Sequence, residues 1–212
     1  MATIIPSILE KTASEFQKQL TKLDQVPEIK KVHIDFCDNT FVPNNTLPLS
    51  QLPELPKNYV YELHWMSSTI PDYDLINKLG FETLMLHIEA FSAQEMMKVP
   101  VPIATAIGPH SPINKLDDYK EFIGLICLMG IEPGFQGQPF LESTYERLYE
   151  IKKKYPTIYV EVDGGVNLST IGKLASLGAD FLNCGSSLMK QPDIVKAYRE
   201  LAAECKIQKT TQ

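Results

Sequence analysis

The stretch Lys31-Val32-His33-Ile34-Asp35-Phe36-Cys37-Asp38 decides how this chain folds. From Val32 to Phe36 the even-numbered residues are apolar and the odd-numbered ones, His33 and Asp35, are ionisable. Side chains alternate between the two faces of a strand, so His33 and Asp35 are expected on one face and Val32, Ile34 and Phe36 on the other. The same test on Val60-Tyr61-Glu62-Leu63-His64 groups Glu62 with His64, and on Val160-Glu161-Val162-Asp163 it groups Glu161 with Asp163. Three strands with one apolar and one ionisable face suit a barrel, where one face packs on helices and the other looks into the lumen.

Working outward, short apolar runs recur at Thr3–Ser7, Lys31–Asp35, Val60–His64, Thr83–His87, Pro102–Ile107, Gly124–Met129, Tyr159–Asp163 and Asp180–Cys184. Helical patterns such as Ser14–Leu23, Asp72–Leu79, Thr144–Tyr155, Leu168–Leu177 and Asp193–Ala203 lie between them. Eight strand-helix units in 212 residues leave about 26 residues each, which fits a single-domain α/β (β/α)8 TIM barrel over residues 1–212. A doubly wound open sheet is the alternative. Only Phe91–Val99 is available for the fourth helix, so that helix is expected to be short or distorted.

Active sites of such barrels sit at the C-terminal ends of the strands, where isolated buried charges are costly unless paired or bound to metal. His33, Asp35, His64 and Asp163 therefore form a candidate two-histidine, two-carboxylate site for one divalent ion, Zn²⁺, Fe²⁺ or Mn²⁺. Glu62 and Glu161, one step deeper, are expected to be structural. His87 and His110 have no partner at a telling spacing and are expected to be structural or on the surface.

Eight of the eleven glycines fall between Gly130 and Gly185, many of them just after the sixth, seventh and eighth runs. Gly134 and Gly137 lie in Glu132-Pro133-Gly134-Phe135-Gln136-Gly137-Gln138, Gly164 and Gly165 follow Asp163, and Gly185 precedes Ser186 and Ser187. Loops of this kind let backbone N–H groups approach an anion, and in barrels the loops after strands 7 and 8 commonly hold phosphate. With no Lys or Arg inside these loops, dipoles and hydroxyls are expected to hold the anion.

Composition narrows the function classes. Apolar residues make up 44% and charged residues 22%, which argues against disorder and coiled coil. The formal net charge of −6 argues against nucleic acid or an anionic membrane as partner. Cys37, Cys127, Cys184 and Cys205 are widely spaced, the N-terminus carries no signal-peptide pattern and no apolar run spans a bilayer. A soluble cytoplasmic protein with reduced thiols is expected, in which the N-x-S/T matches at Asn44 and Asn167 carry no glycan.

Over nearly its whole length the chain resembles the ribulose-phosphate 3-epimerase family of metal-dependent (β/α)8 barrels. The resemblance rests on Pro6-Ser7-Ile8-Leu9, His33-Ile34-Asp35-Phe36-Cys37-Asp38 with Phe41-Val42-Pro43-Asn44, Leu63-His64-Trp65-Met66, His87-Ile88-Glu89-Ala90, Glu132-Pro133-Gly134-Phe135 through Gln138, and Glu161-Val162-Asp163-Gly164-Gly165-Val166. It implies that His33, Asp35, His64 and Asp163 are metal ligands, with Asp35 and Asp163 also the two acid/base groups. It implies that Ser7 binds substrate, that Gly137, Gly164, Gly165, Gly185 and Ser186 hold its phosphate, with Gly134 and His64 also at the substrate, and that Met66 and Met129 line the site over the sugar. A phosphorylated ketose substrate and a homo-oligomer are implied as well.

Three positions depart from the family. Cys37 replaces a methionine, Gly130 replaces Ser or Thr, and Gln136 interrupts a Gly-Gly pair. Smaller residues at 37 and 130 suggest a roomier sugar pocket. The expected reaction is interconversion of D-ribulose 5-phosphate and D-xylulose 5-phosphate at C3 through an enediolate, by two-carboxylate proton transfer. Alternatives are a hexulose-6-phosphate epimerase acting on allulose 6-phosphate, and an inactive sugar-phosphate-binding barrel. The related decarboxylase and hexulose-phosphate synthase group carries Asp-x-Lys-x-x-Asp on a strand, and Asp35-Phe36-Cys37-Asp38 lacks that lysine.

Overall fold

A computed structural model describes residues 2–207; Met1 and residues 208–212, which the 1–212 domain assignment includes, lie outside the described residues. Eight parallel strands close into a barrel in sequence order: β1 (Thr3–Ile8), β2 (Lys31–Cys37), β3 (Val60–Met66), β4 (Phe81–His87), β5 (Ile103–Ile107), β6 (Leu125–Met129), β7 (Tyr159–Asp163) and β8 (Phe181–Cys184). The helices are α1 (Ala13–Leu23), α2 (Tyr73–Leu79), α3 (Ala93–Met96), α4 (Ser143–Lys154), α5 (Ile171–Ser176), α6 (Ser186–Met189) and α7 (Ile194–Ile207). The open-sheet alternative is thereby excluded.

Local chemistry explains the elements. In α1, Phe16, Leu20 and Leu23 are buried at a spacing that forms one helical face, and the Thr12 side chain accepts a hydrogen bond from the Glu15 N–H to cap its start. The fourth helix is short, as expected. Ser92 and Glu95 form a capping box that starts α3, and Pro100 and Pro102 lie just downstream, where proline opposes helix continuation. Units two and five depart from the alternation, with 3-10 turns at Leu49–Gln51 and Ile113–Asp118 in place of α-helices. Pro43, Pro48, Pro53 and Pro56 in one unit and Pro109 and Pro112 in the other remove backbone donors that an α-helix needs.

Strand parity sorts the core. Val32, Ile34, Leu63, Leu84, Leu86, Ile126, Leu128, Val160, Val162 and Leu182 belong to the large apolar layer shared with the helices. Burial of each such side chain contributes about 1.5 to 3 kcal/mol. The alternate residues fill the lumen, which is divided: Met85, Ala104, Ala106, Cys127 and Met129 make an apolar cluster on the side of β4 to β6. Ser7, His33, Asp35, Glu62, His64, Glu161, Asp163 and Asn183 are buried and polar on the opposite side. The site is built where that polar half reaches the barrel mouth.

Candidate active site and metal centre

Register brings the ionisable groups together. Asp35 pairs with His64, Ser7 with His33, His33 with Glu62, and Asp163 with Asn183. His33 Nε2 lies 3.2 Å from Asp35 Oδ1 and 3.2 Å from His64 Nδ1. His64 Nδ1 is 3.1 Å from the same Asp35 oxygen and 3.5 Å from Asp163 Oδ2. All four residues are buried, and one donor atom from each lies within 4.8 Å of the others. A tetrahedral ion with ligands at about 2.0 to 2.2 Å would hold its donors about 3.3 to 3.6 Å apart, so the spacing fits.

The surrounding charge fits as well. Glu62 Oε1 lies 2.8 Å from His33 Nδ1, so that nitrogen carries a proton and Nε2 is the atom turned toward the cluster. Asn183 donates to Glu161 Oε1 at 2.6 Å, and Lys31 contacts Glu62 from below. Asp35, Glu62, Glu161 and Asp163 thus face one lysine and two imidazoles. Burial together with the charge of Glu62 pushes Glu161 up to about 7. Burial would lower His33, but the carboxylates of Asp35, Glu161 and Glu62 overturn this and hold it well above the ordinary imidazole range. His64 is likewise raised: burial opposes the shift, and hydrogen bonds to Asp163 and Asp35 outweigh it. Burial would raise Asp35, yet His33 and His64 hold it below the usual carboxylate range. Such a cluster favours added positive charge, which a divalent cation supplies.

A cavity of about 720 Å³ opens above the cluster, within the size range of small-ligand sites. Ser7, Asp35, Met66, Met129, Asp163, Gly134, Gly137, Gly164, Gly165, Gly185 and Ser186, all singled out in the sequence, line it. Gly164 and Gly165 have φ of +95° and +70°, and a Cβ on Gly164 would stand 2.3 Å from Ile131; glycine is required there by conformation and by space. His33 and His64 lie beneath the floor rather than among the lining residues.

Two departures from the sequence reading emerge, at Gly130 and Cys37. Gly130 gives the pocket no room, because a Cβ there would lie 2.3 Å from the Gly164 carbonyl oxygen and 3.0 Å from Phe140. Cys37 is buried against Val42 and Met66, and neither Cys37 nor Gly130 lines the cavity. Gln136 does line it, donating to the Ser7 carbonyl at 3.3 Å. Lys190, just past α6, also lines the cavity, adding a cation that inspection of the three loops alone passes over.

His110 is exposed and contacts Glu132. His87 is fully buried and does have partners. Its Nε2 lies 2.9 Å from His64 Nε2 and its Nδ1 3.2 Å from Glu89. Applied to the fourth strand, the parity test groups His87 with the lumen residue Met85 and would have placed it there. Asn183, inward-facing between Leu182 and Cys184, was open to the same test.

A buried group of two carboxylates and two imidazoles in a closed barrel, together with the family match, places the chain among the epimerase-type isomerases of carbohydrate metabolism. The chain belongs to the ribulose-phosphate 3 epimerase family, whose model matches residues 3–189. It is 31% identical over 190 residues to the ribulose-phosphate 3-epimerase of Escherichia coli, covering 82% of this chain and 83% of that one. It is 29% identical to the cytoplasmic isoform of Oryza sativa subsp. japonica, covering 94% and 93%, and 28% identical to the Bacillus subtilis enzyme, covering 95% and 98%. Among solved structures, KGPDC from Streptococcus mutans superposes with a TM-score of 0.68 at 9% identity, over 98% of this chain and 98% of that one. That likeness is one of fold. Among the described residues no helix is long and apolar enough to cross a membrane.

Proposed function

We propose that this protein is a metal-dependent epimerase that interconverts D-ribulose 5-phosphate and D-xylulose 5-phosphate at C3, acting in the cytoplasm. Asp35 and Asp163 reach the same imidazole nitrogen, His64 Nδ1, from β2 and β7, and that convergence beneath a glycine-lined cavity carries the proposal. The names of the relatives support the substrate.

His33, Asp35, His64 and Asp163 would hold the divalent ion. When bound, the ion supplies Lewis-acid stabilisation of negative charge on the sugar oxygens. One carboxylate takes the proton from C3 while the other returns a proton to the opposite face, and the direction of reaction decides which is which. Ser7 Oγ donates to Asp35 Oδ2 at 2.8 Å, orienting that carboxylate. Met66 and Met129 present apolar surface to the sugar, and the backbone at Gly137, Gly164, Gly165, Gly185 and Ser186 holds the phosphate, with Lys190 contributing charge from the rim. Phosphate binding remote from the reacting carbon positions it, so free ribulose is expected to be a poor substrate.

Steady-state kinetics in heavy water test the reading. D-Ribulose 5-phosphate should give xylulose 5-phosphate carrying deuterium at C3, with a higher kcat/KM than allulose 6-phosphate. A higher kcat/KM for the hexulose phosphate would replace the substrate assignment, and turnover of neither would overturn the enzyme assignment.

A further inference from the structure

The proposed mechanism leaves unused His87, buried at the end of β4, and Glu89, in the turn just beyond it, and the pair leads to His64. His64 pairs in register with Met85, which places His87, two residues on and on the same face, at the diagonal position that long side chains can bridge. The two imidazoles are nearly coplanar, at 18°, with centroids 5.0 Å apart. Their Nε2 atoms lie 2.9 Å apart, the geometry of an in-line N–H···N hydrogen bond. Phe41 closes over the His87 ring at 4.8 Å. Behind it Glu89 approaches His87 Nδ1 with Oε2, at 3.2 Å, and accepts from the Gly108 N–H with Oε1, at 2.9 Å.

The proton positions follow from the far end. A carboxylate only accepts, so His87 must carry its proton on Nδ1, facing Glu89. A neutral His87 then has a lone pair on Nε2, and two lone pairs facing at 2.9 Å would repel. The proton between the rings therefore belongs to His64 Nε2. Nδ1 is the atom that faces His33, Asp35 and Asp163; without an ion it too can carry a proton toward the two carboxylates, and with an ion bound the proton held on Nε2 leaves the Nδ1 lone pair as the one available to it.

We propose that Glu89 and His87 are positioning residues that act as a tautomer lock, directing the Nδ1 lone pair of His64 into the divalent-ion site. The lock rests on the metal reading above but adds a separate claim: affinity for the ion depends on two side chains that never touch it. Outer partners of ligating histidines typically contribute about 10- to 100-fold in metal affinity.

Chelator competition with Zn²⁺ on the whole chain tests this, with folding followed by circular dichroism. His87→Phe keeps the ring's bulk and removes the acceptor, and should weaken zinc binding about 10- to 100-fold. His87→Gln offers an amide oxygen to His64 Nε2 and should recover part of that loss. Glu89→Gln leaves one acceptor for the two donors His87 Nδ1–H and Gly108 N–H, so it too should weaken binding. Nitrogen-15 spectra of zinc-loaded wild-type protein should show His64 protonated at Nε2, a readout that does not depend on any variant folding. Wild-type affinity in folded His87→Phe, or a proton on His64 Nδ1 in the zinc-loaded protein, would overturn the lock while leaving the metal site intact. Failure of the wild-type chain to bind zinc would overturn the metal reading itself, and the lock with it.

Discussion

Ser7 Oγ donates to Asp35 Oδ2 at 2.8 Å across the β1–β2 seam, while Asp35 Oδ1 turns toward the two imidazoles. The two oxygens of this carboxylate therefore face different partners, one at the cavity and one at the metal donors.

Ser7→Ala should lower kcat by roughly tenfold or more, since a hydrogen bond to a charged group contributes about 1.5 to 3 kcal/mol. Zinc affinity should change little because Oδ1 keeps its surroundings. Parallel measurement of kcat and of zinc binding checks this; equal losses in both would mean that Ser7 supports the metal donors instead.

Asp163→Asn should retain an oxygen donor but lose the capacity to exchange a proton on its face of the sugar. Net epimerisation is expected to fall by about 10²- to 10⁴-fold, with Asp35→Asn giving a loss of similar order. Turnover is to be compared with metal content and circular dichroism in each variant. Near wild-type turnover in a folded, metal-loaded variant would contradict the two-carboxylate assignment.

Much of this site was legible in the residues because strand period is two. His33 with Asp35, Glu62 with His64 and Glu161 with Asp163 share a face whatever else the chain does. Contacts between strands were not legible, because register is set by closure of the barrel. The approach of His87 to His64 and the hold of Ser7 on Asp35 depend on that register. Gly130 shows a different limit: a smaller side chain suggests space, yet here the Gly164 backbone and Phe140 occupy it. The 3-10 turns of units two and five could have been anticipated from their prolines, which the apolar alternation does not weigh.

Gly130→Ser should destabilise the fold, since its Cβ would meet the Gly164 carbonyl oxygen at 2.3 Å. Overpacking at a well-filled position costs about 1 to 3 kcal/mol, and the urea midpoint should fall accordingly. An unchanged midpoint with an altered pentulose-to-hexulose preference would restore Gly130 to the pocket wall.

Glu89 sets an acid dependence. Burial would raise its pKa, but hydrogen bonds from His87, Ser111 and the Gly108 N–H outweigh burial and hold it down to about 2. A carboxylate lowered in the folded state contributes stability that is fully present above its unfolded value of about 4.5 and disappears as pH falls through about 2. The stability gap between wild type and Glu89→Gln, from urea unfolding at a series of pH values, should narrow across that window. A gap that stays constant from about pH 6 to about pH 2 would contradict this placement of Glu89.

The most direct measurement is elemental analysis coupled to D-ribulose 5-phosphate turnover, on protein purified without chelator, then stripped, then reloaded. About one divalent ion per chain is expected, with turnover lost on stripping and restored by Zn²⁺, Fe²⁺ or Mn²⁺. Full turnover by a rigorously metal-free sample would contradict the account.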